Sequence, residues 1–122
     1  GTSIIVPTGN ADHPFVAHTP TMRVPMNISR TDNVYQATWA TLLAVRHHNL
    51  IADHKIETLV IPGLGTGSGG VDYLEAGLQM RLACEFFLRP PAHINPSLAQ
   101  HRHERIHYGG RSGFERPRNN NT

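Results

Sequence analysis

A glycine-rich loop between an apolar run and a capped helix constrains the fold of this chain most. Residues 56–61 form the apolar run, Pro62 ends it, and five of the eight residues of 63–70 are glycine. A nearly continuous apolar run predicts a strand covered on both faces, as in a parallel sheet. Asp72 and Glu75 follow with the spacing of a capping box, which predicts the start of a helix. Strand, loop and helix in this order indicate an α/β fold.

The loop has the composition of a phosphate-binding turn. Glycines let the main chain turn sharply and approach a ligand, while successive N–H groups and the positive end of a helix attract phosphate. The Gly65-x-Gly67-x-x-Gly70 spacing fits a dinucleotide fingerprint, but no strand with an acidic residue follows, and the chain lacks the Gly-Lys-Ser/Thr motif of a P-loop. The alternative is a tight turn that only joins a strand to a helix. The predicted diphosphate-binding residues are Gly63, Gly65, Thr66, Gly67, Ser68, Gly69 and Gly70.

The region around the loop predicts one small α/β body. Its predicted elements are β-rich runs at 3–6 and 15–19, a helix capped by Ser29 or Thr31, the strand at 56–61 and a helix ending near Leu88. Strands that alternate with helices predict parallel pairing. Three strands leave two bare sheet edges and little core. We therefore expect residues 1–88 to belong to a larger sheet or to pack against a protein partner that completes the fold.

Residues 89–122 differ in composition from this body. They contain six arginines, four histidines, four prolines and only two acidic residues, which gives them a formal charge of +4 against −2 for residues 1–88. Such a segment buries too little apolar surface to offset its ordering entropy, so we predict that it is disordered unless bound. Arginine and aromatic side chains suit RNA phosphates and bases, and an acidic protein surface is the alternative partner. The candidate contact residues are Arg102, Arg105, Tyr108, Arg111, Phe114, Arg116 and Arg118.

Several functional classes are disfavoured by composition. No run of 18 apolar residues occurs, so we predict no transmembrane helix and no membrane partner. A single cysteine, Cys84, excludes an internal disulfide framework and a cysteine-rich zinc site, and we expect no metal site or cofactor. No signal-peptide pattern is present, which favours an intracellular location in the cytoplasm or an organelle matrix. Gly1 in place of methionine indicates that the N-terminus is processed, engineered or truncated.

Residues 61–70, Ile-Pro-Gly-Leu-Gly-Thr-Gly-Ser-Gly-Gly, resemble the second ligand loop of macro domains, the ADP-ribose-binding fold. Residues 13–25 resemble the upstream strand and turn of a bacterial and phage-like branch of that family. Residues 33–44 and 76–80 resemble the helices on either side of the loop strand. The resemblance covers about residues 3–88, the C-terminal part of the family fold. It implies a three-layer α/β/α arrangement with a mostly parallel sheet, incomplete at the N-terminus.

The resemblance implies that the loop binds ADP-ribose or a related nucleotide through its diphosphate. The family's N-terminal part supplies the acidic residue at the adenine and the Asn-bearing loop, and we find no counterpart here. We therefore assign no catalytic residue, and hydrolysis of ADP-ribose derivatives is expected only if another segment restores the pocket. The alternative is a degenerate, non-catalytic macro-like subunit of a larger assembly, whose basic tail contacts RNA or a protein. The small core and the basic tail favour that alternative.

Overall fold

A computed structural model describes residues 1–108 of the chain. These residues form two strands and three helices. The elements are β1 (Ile4–Pro7), β2 (Phe15–His18), α1 (Asn33–Ile51), α2 (Tyr73–Leu88) and α3 (Pro96–Tyr108). Within the described part of the chain, no helix is both long and apolar enough to cross a membrane.

The two strands form an antiparallel hairpin. Ile4 lies opposite His18 and Val6 lies opposite Val16. The connecting turn is closed by the N–H of Thr8, which donates to the carbonyl of Pro14 at 3.0 Å. The strands lie where the sequence predicts them, but the pairing is antiparallel, since a short connection brings the second strand back beside the first.

The prediction of a mostly parallel, three-layer sheet is wrong for the residues that the structure describes. Their sheet has two strands, and residues 56–61, predicted as a buried strand, form no strand there. The side-chain oxygen of Asn49 accepts the N–H of Ile56 at 2.7 Å, and no strand edge pairs with this segment. Val60 is consequently 86% exposed. The apolar pattern of a buried strand is present, whereas the neighbours that would bury it are not.

Helix α1 packs against helix α2 over two apolar clusters. The first contains Ile28, Val34, Val71 and Ala76, with Met22, Leu64 and Met80 against it. The second contains Tyr35, Leu82, Ala83 and Ile106, with Trp39 and Phe86 against it. The first cluster lies under the glycine-rich loop, because Leu64 belongs to that loop and Val71 directly follows it. Both predicted helices are therefore confirmed, and together they support the loop.

The N-terminus of α1 is capped in an unexpected way. The N-cap residue is Asp32, which makes no side-chain cap bond, so neither Ser29 nor Thr31 holds the predicted position. Buried Gln79 of α2 accepts the N–H of Tyr35 through Oε1 at 2.9 Å and donates through Nε2 to the carbonyl of Thr31 at 2.8 Å. A side chain of α2 thus accepts a main-chain N–H in the first turn of α1 that has no acceptor within its own helix.

Helix α3 lies in the segment for which composition predicts disorder in isolation. Its Ile106 is buried in the cluster with Leu82 and Ala83 of α2. The guanidinium of Arg105 pairs with Glu85 at 3.1 Å. The described contacts that attach this mostly polar helix to the body thus include a buried apolar side chain and an ion pair.

Candidate functional site

The inner face of the glycine-rich loop packs on the first apolar cluster. Gly65 has φ +73°, and a Cβ atom there would lie 3.1 Å from both Ile28 and Val34. A Cβ on buried Gly69 would lie 2.5 Å from the carbonyl oxygen of Gly65 and 2.9 Å from Ile28. The loop can approach the core this closely only because these two positions lack side chains.

Main-chain hydrogen bonds hold the loop in one shape. The carbonyl of Gly69 accepts the N–H of Ile28 at 2.8 Å, and the carbonyl of Gly65 accepts the N–H of Val71 at 3.1 Å. Within the loop, the N–H of Gly70 donates to the carbonyl of Gly67 at 3.0 Å. In these three bonds the loop contributes the carbonyl groups of Gly65, Gly67 and Gly69, but only one N–H group, that of Gly70. The N–H groups of residues 65–69 take no part in them.

The outer face of the loop is open. Gly63, Gly67 and Ser68 are exposed, and a Cβ on Gly67 would meet no atom within 4 Å. Within residues 1–108, the N–H groups of residues 65–69 donate to no protein acceptor. A run of free N–H donors on a fixed loop can bind an anion through the main chain.

The helix end beside the loop is already occupied by a carboxylate. Asp72 is the N-cap of α2, and its Oδ2 accepts the N–H of Leu74 at 2.9 Å and that of Glu75 at 3.4 Å. The predicted helix start is confirmed, but Glu75 does not complete a reciprocal capping box. Since the Asp72 side chain compensates the positive helix end, an anion at the loop would depend on the loop N–H groups instead.

A segment that sequence reasoning missed borders the loop. A Cβ on Gly70, whose φ is +64°, would lie 2.9 Å from the side-chain nitrogen of Asn27. Arg30 has φ +61°, a conformation that L-residues rarely adopt, and its N–H donates to Glu75 Oε1 at 2.9 Å. The side chain of Arg30 is exposed and lies three residues after Asn27, which contacts the loop at Gly70. The one sequence signal here is Ile28, a lone apolar residue in a polar stretch.

The predicted tail residues divide into two groups. Arg102 places its guanidinium 5.4 Å from the centre of the Tyr35 ring, and Arg105 pairs with Glu85. The hydrogen bond from Arg105, followed by the one from Arg81, lowers the pKa of Glu85. Both arginines thus contact their own chain. Tyr108 ends α3, while Arg111, Phe114, Arg116 and Arg118 lie outside the described residues.

Metal-ligating side chains do not cluster in the part of the chain whose side chains the structure describes. There, no three His, Cys, Asp or Glu side chains lie together in a way that could hold an ion. His48 instead bonds through Nε2 to the carbonyl of His54 at 2.9 Å, and its ring packs edge-on against Phe15. Among the described residues, the loop is therefore the feature best suited to a ligand.

Comparison with known proteins identifies the family. The family model described as Macro domain matches residues 1–80, which include the hairpin, α1, the loop and the first half of α2. No curated protein and no solved structure matches the chain with significance. The match implies an α/β fold, and macro domains generally bind ADP-ribose and related nucleotides. Because the matched range covers more than half of its residues, the chain belongs to the macro domain family.

Proposed function

We propose that this chain binds ADP-ribose or a related nucleotide through the loop of residues 63–70. The main-chain N–H groups of residues 65–69 would hold the diphosphate. The observation that carries the proposal is the run of free donors on a loop fixed from behind by Gly65 and Gly69. A preformed cradle requires little ordering when the ligand binds, so its hydrogen bonds contribute to affinity.

The loop side chains have secondary roles in this proposal. The hydroxyl of Thr66 donates to the carbonyl of Gly63 at 2.8 Å, which leaves its lone pairs free to accept. The exposed Ser68 hydroxyl is free to donate to a phosphate oxygen. Exposed Arg30 supplies a cation three residues from the Asn27 contact with the loop. None of these groups is assigned as a general base, and we propose binding rather than catalysis for these residues.

We also propose that the sequence corresponds to the C-terminal part of the family fold and belongs to its bacterial and phage-like branch. Hydrolysis of ADP-ribose derivatives would need groups that the described residues do not bring to the loop. A chain that binds without hydrolysing would act as a reader of the nucleotide.

A titration of the purified chain with ADP-ribose tests the proposal. Gly67→Glu places a carboxylate on the open face of the loop, where it repels a diphosphate, and should weaken binding by about a hundredfold or more. Gly77→Glu is the matched control, because a Cβ on Gly77 in α2 also meets no atom within 4 Å. Gly77→Glu should bind like the unchanged chain. Equal affinity of the two variants would contradict the proposal.

A second candidate function is an interaction module without nucleotide binding. Exposed apolar residues of the hairpin and of residues 56–61 favour it, among them Ile4, Val16 and Val60. The proposed contact of the basic tail with RNA or protein belongs to this candidate. Removal of residues 109–122 tests the tail without exposing the core, whereas removal from residue 89 onward would uncover Leu82 and Ala83 beneath Ile106. Unchanged RNA binding after the shorter deletion would exclude residues 109–122 as the RNA-binding segment.

A further inference from the structure

One residue beside the glycine-rich loop has a strained main chain. Arg30 has φ +61°, and it is the one residue other than glycine with a positive φ in the part of the chain that the structure describes. An L-residue adopts this left-handed conformation only at a cost in free energy, whereas glycine adopts it freely. Strain of this kind concentrates at binding and catalytic sites. Arg30 is therefore a candidate for a functional role.

A side chain of α2 holds Arg30 in this conformation. The Oε1 atom of Glu75 accepts the main-chain N–H of Arg30 at 2.9 Å, and it also accepts a hydrogen bond from Nε2 of Gln79 at 3.3 Å. The same Nε2 donates to the carbonyl of Thr31 at 2.8 Å. The turn that carries Arg30 is thus bonded to α2 through its main chain. The guanidinium takes no part in these bonds, and it is in no ion pair within the described residues.

The same turn is bonded to the glycine-rich loop on its other side. Two residues before Arg30, the N–H of Ile28 donates to the carbonyl of Gly69 at 2.8 Å. A Cβ on Gly70 would lie 2.9 Å from the side-chain nitrogen of Asn27. The fold therefore fixes the main chain of Arg30 beside the loop and leaves its side chain exposed.

The charges around the loop create a need for a cation there. Asp72 and Glu75 follow the loop within five residues, and neither is in an ion pair within the described chain. Both carboxylates would repel a diphosphate at the loop. Residues 63–75 contain no lysine or arginine, so a compensating charge has to come from another segment. Arg30 is bonded to this region through Glu75, and its planar guanidinium suits a phosphate.

We propose that Arg30 pairs with a phosphate of the ligand held by the loop, and that Glu75 is the positioning residue that keeps Arg30 in place. This inference rests on the proposed function, because it takes the loop as the nucleotide site. It also narrows the ligand class, since the site then favours nucleotides over nucleosides that lack a phosphate. The strain at Arg30 is retained for affinity, at the expense of stability.

Arg30→Gly separates affinity from stability. Glycine adopts φ +61° without strain, and the substitution removes the cation. Titration of the purified chain with ADP-ribose should show about tenfold weaker binding, which corresponds to the loss of one charge-assisted hydrogen bond. Urea unfolding of the same variant should show a midpoint at least as high as that of the unchanged chain.

Arg46 offers the matched control. Its side chain is exposed and in no ion pair within the described residues, so Arg46→Gln removes the same charge. Val34, which lies against Gly65, precedes Arg46 by twelve residues on the same helix, a distance of about 18 Å. Arg46→Gln should bind ADP-ribose with the affinity of the unchanged chain.

Two variants of Glu75 test the positioning role. Both lose the carboxylate charge, but Glu75→Gln retains an acceptor for the N–H of Arg30, whereas Glu75→Ala does not. Glu75→Ala should therefore bind ADP-ribose a few-fold more weakly than Glu75→Gln. When each is combined with Arg30→Gly, the two should bind equally, because no cation is left to position. The same difference in both backgrounds would show that Glu75 acts independently of Arg30.

The outcomes separate this inference from the proposed function. Unchanged affinity of Arg30→Gly would overturn it, and so would a loss of affinity that comes with a lower urea midpoint. If Gly67→Glu loses binding and Arg30→Gly does not, the loop is the nucleotide site without help from Arg30. If ADP-ribose does not bind the unchanged chain, the proposed function fails and this inference fails with it.

Discussion

The glycine-rich loop and the segment before it are adjacent in sequence but differ sharply in how they are held. The loop of residues 63–70 is fixed by main-chain bonds to Ile28 and Val71 and rests on an apolar cluster. Residues 57–61 make no main-chain hydrogen bond within the described chain and leave Val60 exposed. One region is complete as it stands, whereas the other has the composition of a strand without the neighbours of one.

The loop needs no further protein to hold its shape, whereas residues 57–61 have no neighbouring strand within the described residues. A loop whose shape is set by its own core can bind a ligand without further protein, because the cost of ordering it is already met. A segment with free donors and acceptors instead gains stability from an added strand. Substitutions in the loop and substitutions in residues 57–61 should therefore have separable effects.

The largest effect is expected from a substitution on the inner face of the loop. Gly69→Ala places a Cβ 2.5 Å from the Gly65 carbonyl oxygen and should destabilise the fold by about 3 kcal/mol. Gly67→Ala, for which the outer face leaves room, is the control and should change the stability little. Urea unfolding of both variants measures the difference. Similar midpoints for the two variants would show that the loop does not rest on the core as described.

The next effect concerns the polar link between α1 and α2. Gln79→Ala leaves the N–H of Tyr35 and the carbonyl of Thr31 without partners and should cost about 2–3 kcal/mol in free energy of unfolding. Gln36→Ala is the control, since Gln36 is less buried and bonds only within its own helix, to Asp32. Thermal unfolding compares them. A smaller loss for Gln79→Ala than for Gln36→Ala would refute this role.

A moderate effect is expected at the cap of α2. Asp72→Ala removes the side chain that accepts the N–H groups of Leu74 and Glu75 and should cost about 1 kcal/mol. Asp72→Asn retains an acceptor and should preserve most of the stability. Because it also removes a negative charge beside the loop, it should strengthen ADP-ribose binding modestly. Weaker binding in a stably folded Asp72→Asn variant would place the diphosphate elsewhere.

The smallest effect concerns the attachment of α3. Hydrogen bonds from Arg105 and Arg81 lower the pKa of Glu85 below its ordinary value of 4.5, so the ionised group contributes stability above that pH. This contribution should be lost as the pH falls below 4.5 through the lowered pKa of the folded state. Glu85→Gln should remove that pH dependence while leaving other acid effects in place. Urea unfolding of both proteins between pH 7 and pH 3 measures the difference, and parallel pH profiles would contradict it.

The sequence located the local elements better than their pairing. Helical periodicity and the Asp72 cap placed both long helices, and the runs at 3–6 and 15–19 placed the hairpin strands. The prediction of a buried strand at residues 56–61 is wrong because an apolar run shows only which side chains a segment would bury. It does not show whether neighbours exist to bury them. Helix α3 was missed because its attachment depends on Ile106 meeting Leu82 and Ala83, a contact between distant residues.

The site was predictable in composition but not in orientation. The glycine pattern indicated a close approach of main chain to something, and the sequence could not distinguish a ligand from the core. In the structure, Gly65 and Gly69 face the core, whereas Gly67 faces outward. The border formed by Asn27 and Arg30 depends on tertiary contacts with Gly70 and Glu75, which no local motif specifies.

Amide chemical shifts of the isotopically labelled chain during titration with ADP-ribose test the central claim most directly. If the free donors of the loop hold the diphosphate, the largest shifts should occur at the N–H groups of residues 65–69, while Gly70 and Val71, already bonded within the chain, should move less. The amides of residues 57–61 should remain unprotected. No binding, or binding with the largest shifts outside the loop, would contradict the account.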